Sequence, residues 1–444
     1  HNRHVPLKEK ESALDDLLAQ LRKVPAFNVI IKTAEILITG YIPTTADKDK
    51  SKFDFGPMNT TFSANHLEGF RMRVGGMTTA NLNPHWFGSG YLAYGVNDRK
   101  LKYNAKLTYS VNKKKYHEGE SPVNNISAIQ EYDVYTPGQD FLFTSKDNMF
   151  VAWKVGEPVT MMQYIRKTML QYQKEWLNGL TLTTWARNEN NEAAGTLRYD
   201  RYDADGTLTN LKSFTNTELG TQLRFAPGER AYNGREGKNS LFNLSKDAPV
   251  FKLSHQMGLK NVLGSDFNYN HTEISAEKRI WLSSFGHIDA LVTAGKVWDK
   301  VPFPLLIMPN TNQSITIQPQ AFNMMRALEF VSDQYVSFYF TYYMKGWILN
   351  RIPGVKWLRL REVISFSGFY GGLTDKNNPA LDPTGLYRFP EGTSPMGRTP
   401  YLEASVGLEN IFKILRIDYY RRLTYLDQPN IKKGGVRIAL RFSF

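Results

Sequence analysis

No cysteine occurs among the 444 residues, which removes disulfides, thiolate nucleophiles and thiolate metal sites together. The absence suits an oxidising compartment, where a stray thiol is a liability. Long apolar runs are missing too: mean hydropathy is −0.42, and no uncharged stretch reaches the roughly 18 residues that a transmembrane helix needs. There is no Gly-x-Ser-x-Gly elbow, no P-loop and no His-Glu-x-x-His pair, the usual footholds of hydrolase, nucleotide and zinc-protease chemistry. The eight histidines stand singly, and His1 and His4 read as a frayed terminus rather than a metal clamp. Asp203-Ala204-Asp205-Gly206 lacks the other oxygen ligands of a calcium loop and reads as a hairpin turn. These absences describe a chain that is not an enzyme and calls for no metal or cofactor. The opening His1-Asn2-Arg3-His4 has no apolar h-region or cleavage site, as expected of a mature or truncated form without its targeting signal.

What is abundant is aromatic and basic. Aromatic residues make up 13% of the chain, with 24 Tyr, 26 Phe and 8 Trp, a surplus that suits strands placing rings at two membrane interfaces. The net charge is +13 and the pI about 9.4. Lys and Arg are spread over many strand-like segments rather than collected on one helix, so nucleic-acid binding is not expected. A charged lumen and basic loops facing anionic lipid account for the same charge.

Periodicity divides the chain. Leu7, Leu14, Leu17, Leu18 and Leu21 recur at helical spacing until Pro25, giving a short amphipathic helix. Residues 27–41 read as a connector or a surface-lying segment, and 44–52 as a polar linker, so 1–50 forms a helical segment and linker ahead of a barrel over 51–444. From Phe53 the period becomes two. Residues 102–111 alternate Lys102, Asn104, Lys106, Thr108 and Ser110 with Tyr103, Ala105, Leu107, Tyr109 and Val111, as when one face meets lipid and the other water. Segments of about ten residues, the length that crosses a bilayer at a tilt, recur to the end of the chain. They fall at 53–65, 69–79, 87–97, 101–112, 125–135, 161–173, 180–188, 214–225, 250–260, 266–282, 287–298, 335–345, 356–370, 401–410, 415–423 and 435–444. The fold class is therefore all-β, a transmembrane antiparallel barrel of roughly sixteen strands, an even number that leaves both ends in the periplasm. The long connections at 299–334 and 371–400 fall on the extracellular side and the short 411–414 on the periplasmic side, as barrels of this kind require. The long 227–249 stretch breaks that rule. Glu362 and Glu409 are expected to face the lumen and balance Arg359, Arg361 and Arg416. In the final strand Val436, Ile438, Leu440, Phe442 and Phe444 share one face, and the chain ends on Phe.

Three groups of residues carry a resemblance. Phe53-Asp54-Phe55-Gly56-Pro57, Glu68-Gly69-Phe70-Arg71-Met72-Arg73 and Gly90-Tyr91-Leu92-Ala93-Tyr94-Gly95 look like the first three strands of the BAM-type assembly-factor and surface-antigen superfamily of outer-membrane barrels. Phe322-Asn323-Met324-Met325, Glu329-Phe330-Val331-Ser332-Asp333 and Lys345-Gly346-Trp347-Ile348-Leu349-Asn350-Arg351-Ile352-Pro353 resemble an uncharacterised branch that carries an N-terminal carboxypeptidase-regulatory-like domain. The terminal alternating strand ending in Phe is similar to the signal that barrel-assembly machinery recognises. The resemblance implies a long loop folded into the lumen, whose Arg-Gly-aromatic tip binds an inner-wall acid; here Arg326 is followed by Ala327, and an exposed loop cation is the alternative. It also implies a weak seam between the first and last strands, at Phe53, Phe55 and Gly56 against Gly435, Val436, Ile438, Leu440, Phe442 and Phe444. Gly56, Pro57, Gly434 and Gly435 either weaken that ladder or punctuate strand ends. The implied function is insertion or export of outer-membrane and surface proteins as a subunit of a larger complex. Its partners would be lipid including lipopolysaccharide and other outer-membrane and periplasmic proteins. The alternative is a passive or gated solute channel.

Overall fold

A computed structural model describes residues 40–155, 158–229, 231–232, 242–243, 247–429 and 431–440. The helical segment expected near the start, and Phe442 and Phe444, lie outside them. One antiparallel sheet of eighteen strands dominates. One of the eighteen is the short edge strand Ile42–Pro43 and two are halves of a broken first span, so the chain makes sixteen passes. They are β1 (Phe53–Phe55 and Phe62–Asn65), β2 (Gly69–Thr78), β3 (Trp86–Gly95), β4 (Leu101–Ser110), β5 (Asn124–Tyr135), β6 (Met161–Glu175), β7 (Leu180–Gly195) and β8 (Ser213–Phe225). Then follow β9 (Val250–Gly258), β10 (Tyr269–Trp281), β11 (His287–Val297), β12 (Gln334–Tyr343), β13 (Arg361–Gly372), β14 (Tyr401–Ile411), β15 (Leu415–Arg422) and β16 (Gly434–Leu440). Each pass pairs with the one before and the one after it in chain order. All sixteen expected segments are present.

The two faces explain why these sequences form these strands. Arg71, Lys102, Asp133, Glu403, Asp418 and Arg422 are fully or almost fully buried on one face, while Val74, Leu92 and Val406 on the other are 67%, 57% and 60% exposed. A water-soluble sheet has the reverse arrangement. Charged-inside, apolar-outside alternation is the pattern of a sheet curled on itself with lipid around it. Outward aromatic rings collect at both ends of the passes: Trp86, Tyr109 and Trp281 at the near rim, where the chain enters β1, and Tyr94, Trp298 and Tyr370 at the far rim. The Trp86 and Tyr109 rings pack against each other at a tilt, 5.0 Å between centroids.

Gly56 breaks the first pass. It sits at φ 141°, and a Cβ there would lie 2.3 Å from the Gly40 carbonyl. Its N–H donates to Gly75 at 2.9 Å, after which Met58–Thr60 forms a 3-10 turn and Arg73 N–H returns to Thr61 at 2.8 Å. The 44–52 stretch expected to be a linker is instead the turn of a hairpin that lays Ile42–Pro43 on Asp54 and Phe55. A further correction concerns 356–370: the strand begins at Arg361, because Lys356–Leu358 is a 3-10 turn closed by Arg359 in the left-handed region.

The hydrophobic cores lie inside the far rim, where loops fold over the lumen. Tyr199, Phe214, Tyr269, Phe303, Leu328 and Tyr387 form one cluster. It joins β8 and β10 to a hairpin of Tyr199–Tyr202 with Leu208–Leu211, whose turn is the 203–206 stretch. Phe322, Met325, Phe330, Phe369, Met396 and Tyr401 form another, which packs the β11–β12 loop against β13 and β14.

Candidate functional site

The β11–β12 loop enters the lumen, and its anchoring differs from an Arg-Gly-aromatic tip. Glu403, an inward residue of β14, accepts the backbone N–H of Asn323 at 2.9 Å and of Met324 at 2.9 Å, and the Tyr401 hydroxyl at 2.9 Å. Arg422 of β15 makes a two-pronged pair with Glu329, 3.0 and 2.6 Å, with both side chains fully buried. Arg437 of β16 donates to the Asn323 carbonyl at 2.6 Å. An inner-wall acid is present, but it holds main chain, and the ion pair has its cation on the wall and its anion on the loop. Arg326 is half-buried; its own N–H donates to Glu329 at 2.9 Å. Phe322 is fully buried between β12, β13 and β14, 5.0 Å from the Tyr339 ring and 5.4 Å from Tyr401. Asp333, at the base of the loop, accepts from Thr374 N–H at 3.1 Å and Asn377 at 2.8 Å, tying the β13–β14 loop to the β11–β12 loop.

A second loop between β5 and β6, described over 136–155 and 158–160, also turns inward, which the sequence did not reveal. Its Asp147 receives Arg71 at 3.1 Å and Arg73 at 2.8 Å. Arg71 also makes two contacts with Asp133, 2.8 and 2.9 Å, and one with Glu68 at 2.8 Å. Lys102 reaches Glu68 at 2.7 Å, and Lys146 of the loop reaches Asp133 at 2.9 Å. The alternation of 102–111 placed Lys102 on the lumen face. The convergence of Arg71 and Asp133 on the loop left no such mark, because it depends on contacts far apart in the chain. The expectation that Glu362 balances lumenal arginines also needs correction. Glu362 accepts N–H groups of Ile348 and Leu349 and so caps the turn after β12, while Arg416 pairs with Asp418 at 2.8 Å on its own strand.

At the seam, β1 and β16 share no ladder among the described residues. Phe55 and Asp54 pair outward with Ile42 and Pro43, while Phe53 accepts the Thr44 N–H at 3.2 Å. The 62–65 half pairs with β2 alone. Gly435, Val436, Ile438 and Leu440 pair with β15. On its outer edge Ile438 donates to Ile315 at 2.9 Å and accepts from Ile317 at 2.8 Å, a parallel bridge opposite Thr316. The same loop segment then pairs antiparallel with the β5–β6 loop: Ile315 N–H to Trp153 and Val155 N–H to Gln313, both 2.8 Å. Met149 N–H reaches Asn59, within the break in β1, at 2.9 Å. Backbone hydrogen bonds thus run from the last pass to the first through two inserted loop segments. Bilayer interior cannot solvate the free N–H and C=O groups of an open edge, and these segments satisfy part of both edges.

Residues 34–377 match the family described as "Family of unknown function (DUF5686) C-terminal domain". The chain belongs to that family. The same sheet is similar to the crystal structure of BamA from Haemophilus ducreyi lacking POTRA domains 1–3, at TM-score 0.51 and 10% identity, covering 93% of this chain and 78% of that one. CdiB from Escherichia coli aligns at TM-score 0.45 and 11% identity, covering 84% of this chain and 59% of that one. CdiB from Acinetobacter baumannii aligns at 0.40 and 12%, covering 92% and 67%. No curated protein matches the chain. The likeness to BamA is one of fold.

Proposed function

We propose that this barrel sits in the bacterial outer membrane, with its near rim and both termini periplasmic and its far rim extracellular, and inserts or exports other proteins through the β1–β16 seam. The observation that carries the reading is the state of the two edges. β16 is covered at Ile438 by two hydrogen bonds from the 315–317 segment, and the 62–65 half of β1 has no outer ladder partner among the described residues. Each such bond contributes about 0.5–1.5 kcal/mol net, so an extended client segment that offers its own ladder can replace them. The proposed partners are membrane lipid including lipopolysaccharide, and outer-membrane and periplasmic proteins in a larger complex; nucleic acid has no part, and the role is not catalytic. The branch with an N-terminal carboxypeptidase-regulatory-like domain remains the proposed lineage. The competing solute-channel reading needs an open lumen, whereas the two loops fold across it and join.

The lack of native cysteine makes the test clean. Thr316→Cys with Ile438→Cys places two thiols across the parallel bridge. Oxidation is expected to stop delivery of outer-membrane and surface proteins in cells that depend on the variant, and reductant to restore it. If depleting the protein leaves the outer-membrane and surface proteomes unchanged, while the purified barrel passes solute-selective current in planar bilayers, the channel reading replaces this one.

A further inference from the structure

A cavity of about 970 Å³ opens at the far rim beside the start of β16, between the β11–β12 loop tip and the loops around it. Three guanidinium groups on its wall, Arg198, Arg326 and Arg437, have no carboxylate within ion-pair distance among the described residues. Arg198 donates to the carbonyls of Gly195 and Leu197, and the other two each hold a buried nitrogen without a partner among the described residues. Arg437 is 2% exposed; its two terminal nitrogens donate to the carbonyls of Val436 at 3.1 Å and Asn323 at 2.6 Å, and its Nε is buried with no partner among the described residues. Arg326 also has a buried Nε without a partner there, and its guanidinium forms no ion pair with any described residue.

One acid on the wall, the exposed Glu391, is in no ion pair with a described residue; the other neighbouring acids are engaged elsewhere. Glu329 is held by Arg422, Glu403 by the loop main chain, and Asp200 by Arg388 at 3.0 Å. Arg198 and Lys432 add further positive charge to the wall. The backbone leaves room around both arginines: a Cβ on Gly435 would come within 3.1 Å of the Arg437 guanidinium and 3.2 Å of Met324, and Gly392 stands beside Arg326.

Burying a cation without a counter-charge is costly, and a buried donor without a partner in a folded protein calls for an unseen acceptor. Guanidinium is the side chain best matched to phosphate, through paired, charge-assisted N–H donation. The cavity is far larger than one phosphate ion and lies at the level of the far-rim aromatic residues. We propose that Arg326 and Arg437 form a binding site for a phosphate-bearing saccharide group, either the headgroup of a glycolipid or a free sugar phosphate. The site is independent of whether the seam passes clients.

The test uses the whole chain in detergent micelles and isothermal titration with three probes: bisphosphorylated lipid A, the same lipid with its phosphates removed, and glucosamine 1-phosphate. Phosphorylated lipid A is expected to bind, and removing its phosphates or introducing Arg326→Gln to weaken binding about tenfold or more, the scale of a lost charge-assisted contact. Arg326→Gln removes no side-chain hydrogen bond to a described residue, so it reads binding apart from folding; Arg437→Gln is expected to show the same loss. Lys356→Gln at the opposite rim leaves affinity unchanged. Glucosamine 1-phosphate binding as tightly as lipid A assigns the site to soluble sugar phosphates; lipid A alone binding assigns it to the headgroup. Equal binding with and without phosphates, no binding of either phosphorylated probe, or wild-type affinity in Arg326→Gln overturns the proposal.

Discussion

Two stretches of inner wall hold two loops by different means. On β2–β5, Arg71 contacts three carboxylates, and Arg73, Lys102 and Lys146 share those same acids. On β14–β16, a single Arg422–Glu329 pair carries the charge, and Glu403 holds the loop through backbone N–H groups. A shared network spreads the loss of any one member over the others. A lone buried pair cannot, and the wall acid Glu403 holds this loop through main chain. This is how the loop stays anchored without an Arg-Gly-aromatic tip.

The largest expected effect breaks the lone pair. Glu329→Gln leaves Arg422 buried without a counter-charge, at a cost of about 3–5 kcal/mol. Thermal unfolding of the folded barrel, followed by its gel mobility shift, should drop sharply, and the β11–β12 loop should become accessible to protease. Adding Arg422→Met should recover most of the loss. Asp147→Asn, in the shared network, should cost less, about 1–3 kcal/mol, because Arg71 keeps Asp133 and Glu68. A loss equal to that of Glu329→Gln would end the contrast between the two walls. Met324→Leu should be the mildest, under about 1.5 kcal/mol, with loop protection retained, since Glu403 binds its N–H and not its side chain. Loop release by this exchange would show that the tip is held by side chains after all.

The passes were legible because lipid and lumen impose opposite demands on alternate residues. Lys102 and Thr108 are buried and Leu101 and Leu107 exposed, as the alternation of 102–111 requires. The inward course of the β11–β12 loop came from resemblance, and the acid at Glu403 could have been found from its parity with Tyr401 and Ser405. The β5–β6 loop carried no such sign. Its placement rests on Lys146 and Asp147 meeting Arg71 and Asp133, pairings that no local pattern encodes. The 44–52 hairpin was hidden for a similar reason: its polar composition describes a linker and a hairpin turn equally well, and only the backbone of Asp54 and Phe55 distinguishes them. Lys356–Leu358 reads as strand because its apolar content continues that of β13, while the left-handed Arg359 that separates them leaves no mark in composition.

The parallel bridge at Ile438 bears on the order in which the molecule is completed. The residues that receive β16, 315–317, are synthesised well before it and are tied to the β5–β6 loop. The last pass therefore seats against an internal platform of earlier-made segments. Completion of the ring is then a docking onto the interior rather than a meeting of the chain's two outermost strands, and a nascent barrel whose loops still lie outside the lumen has no platform on which to finish.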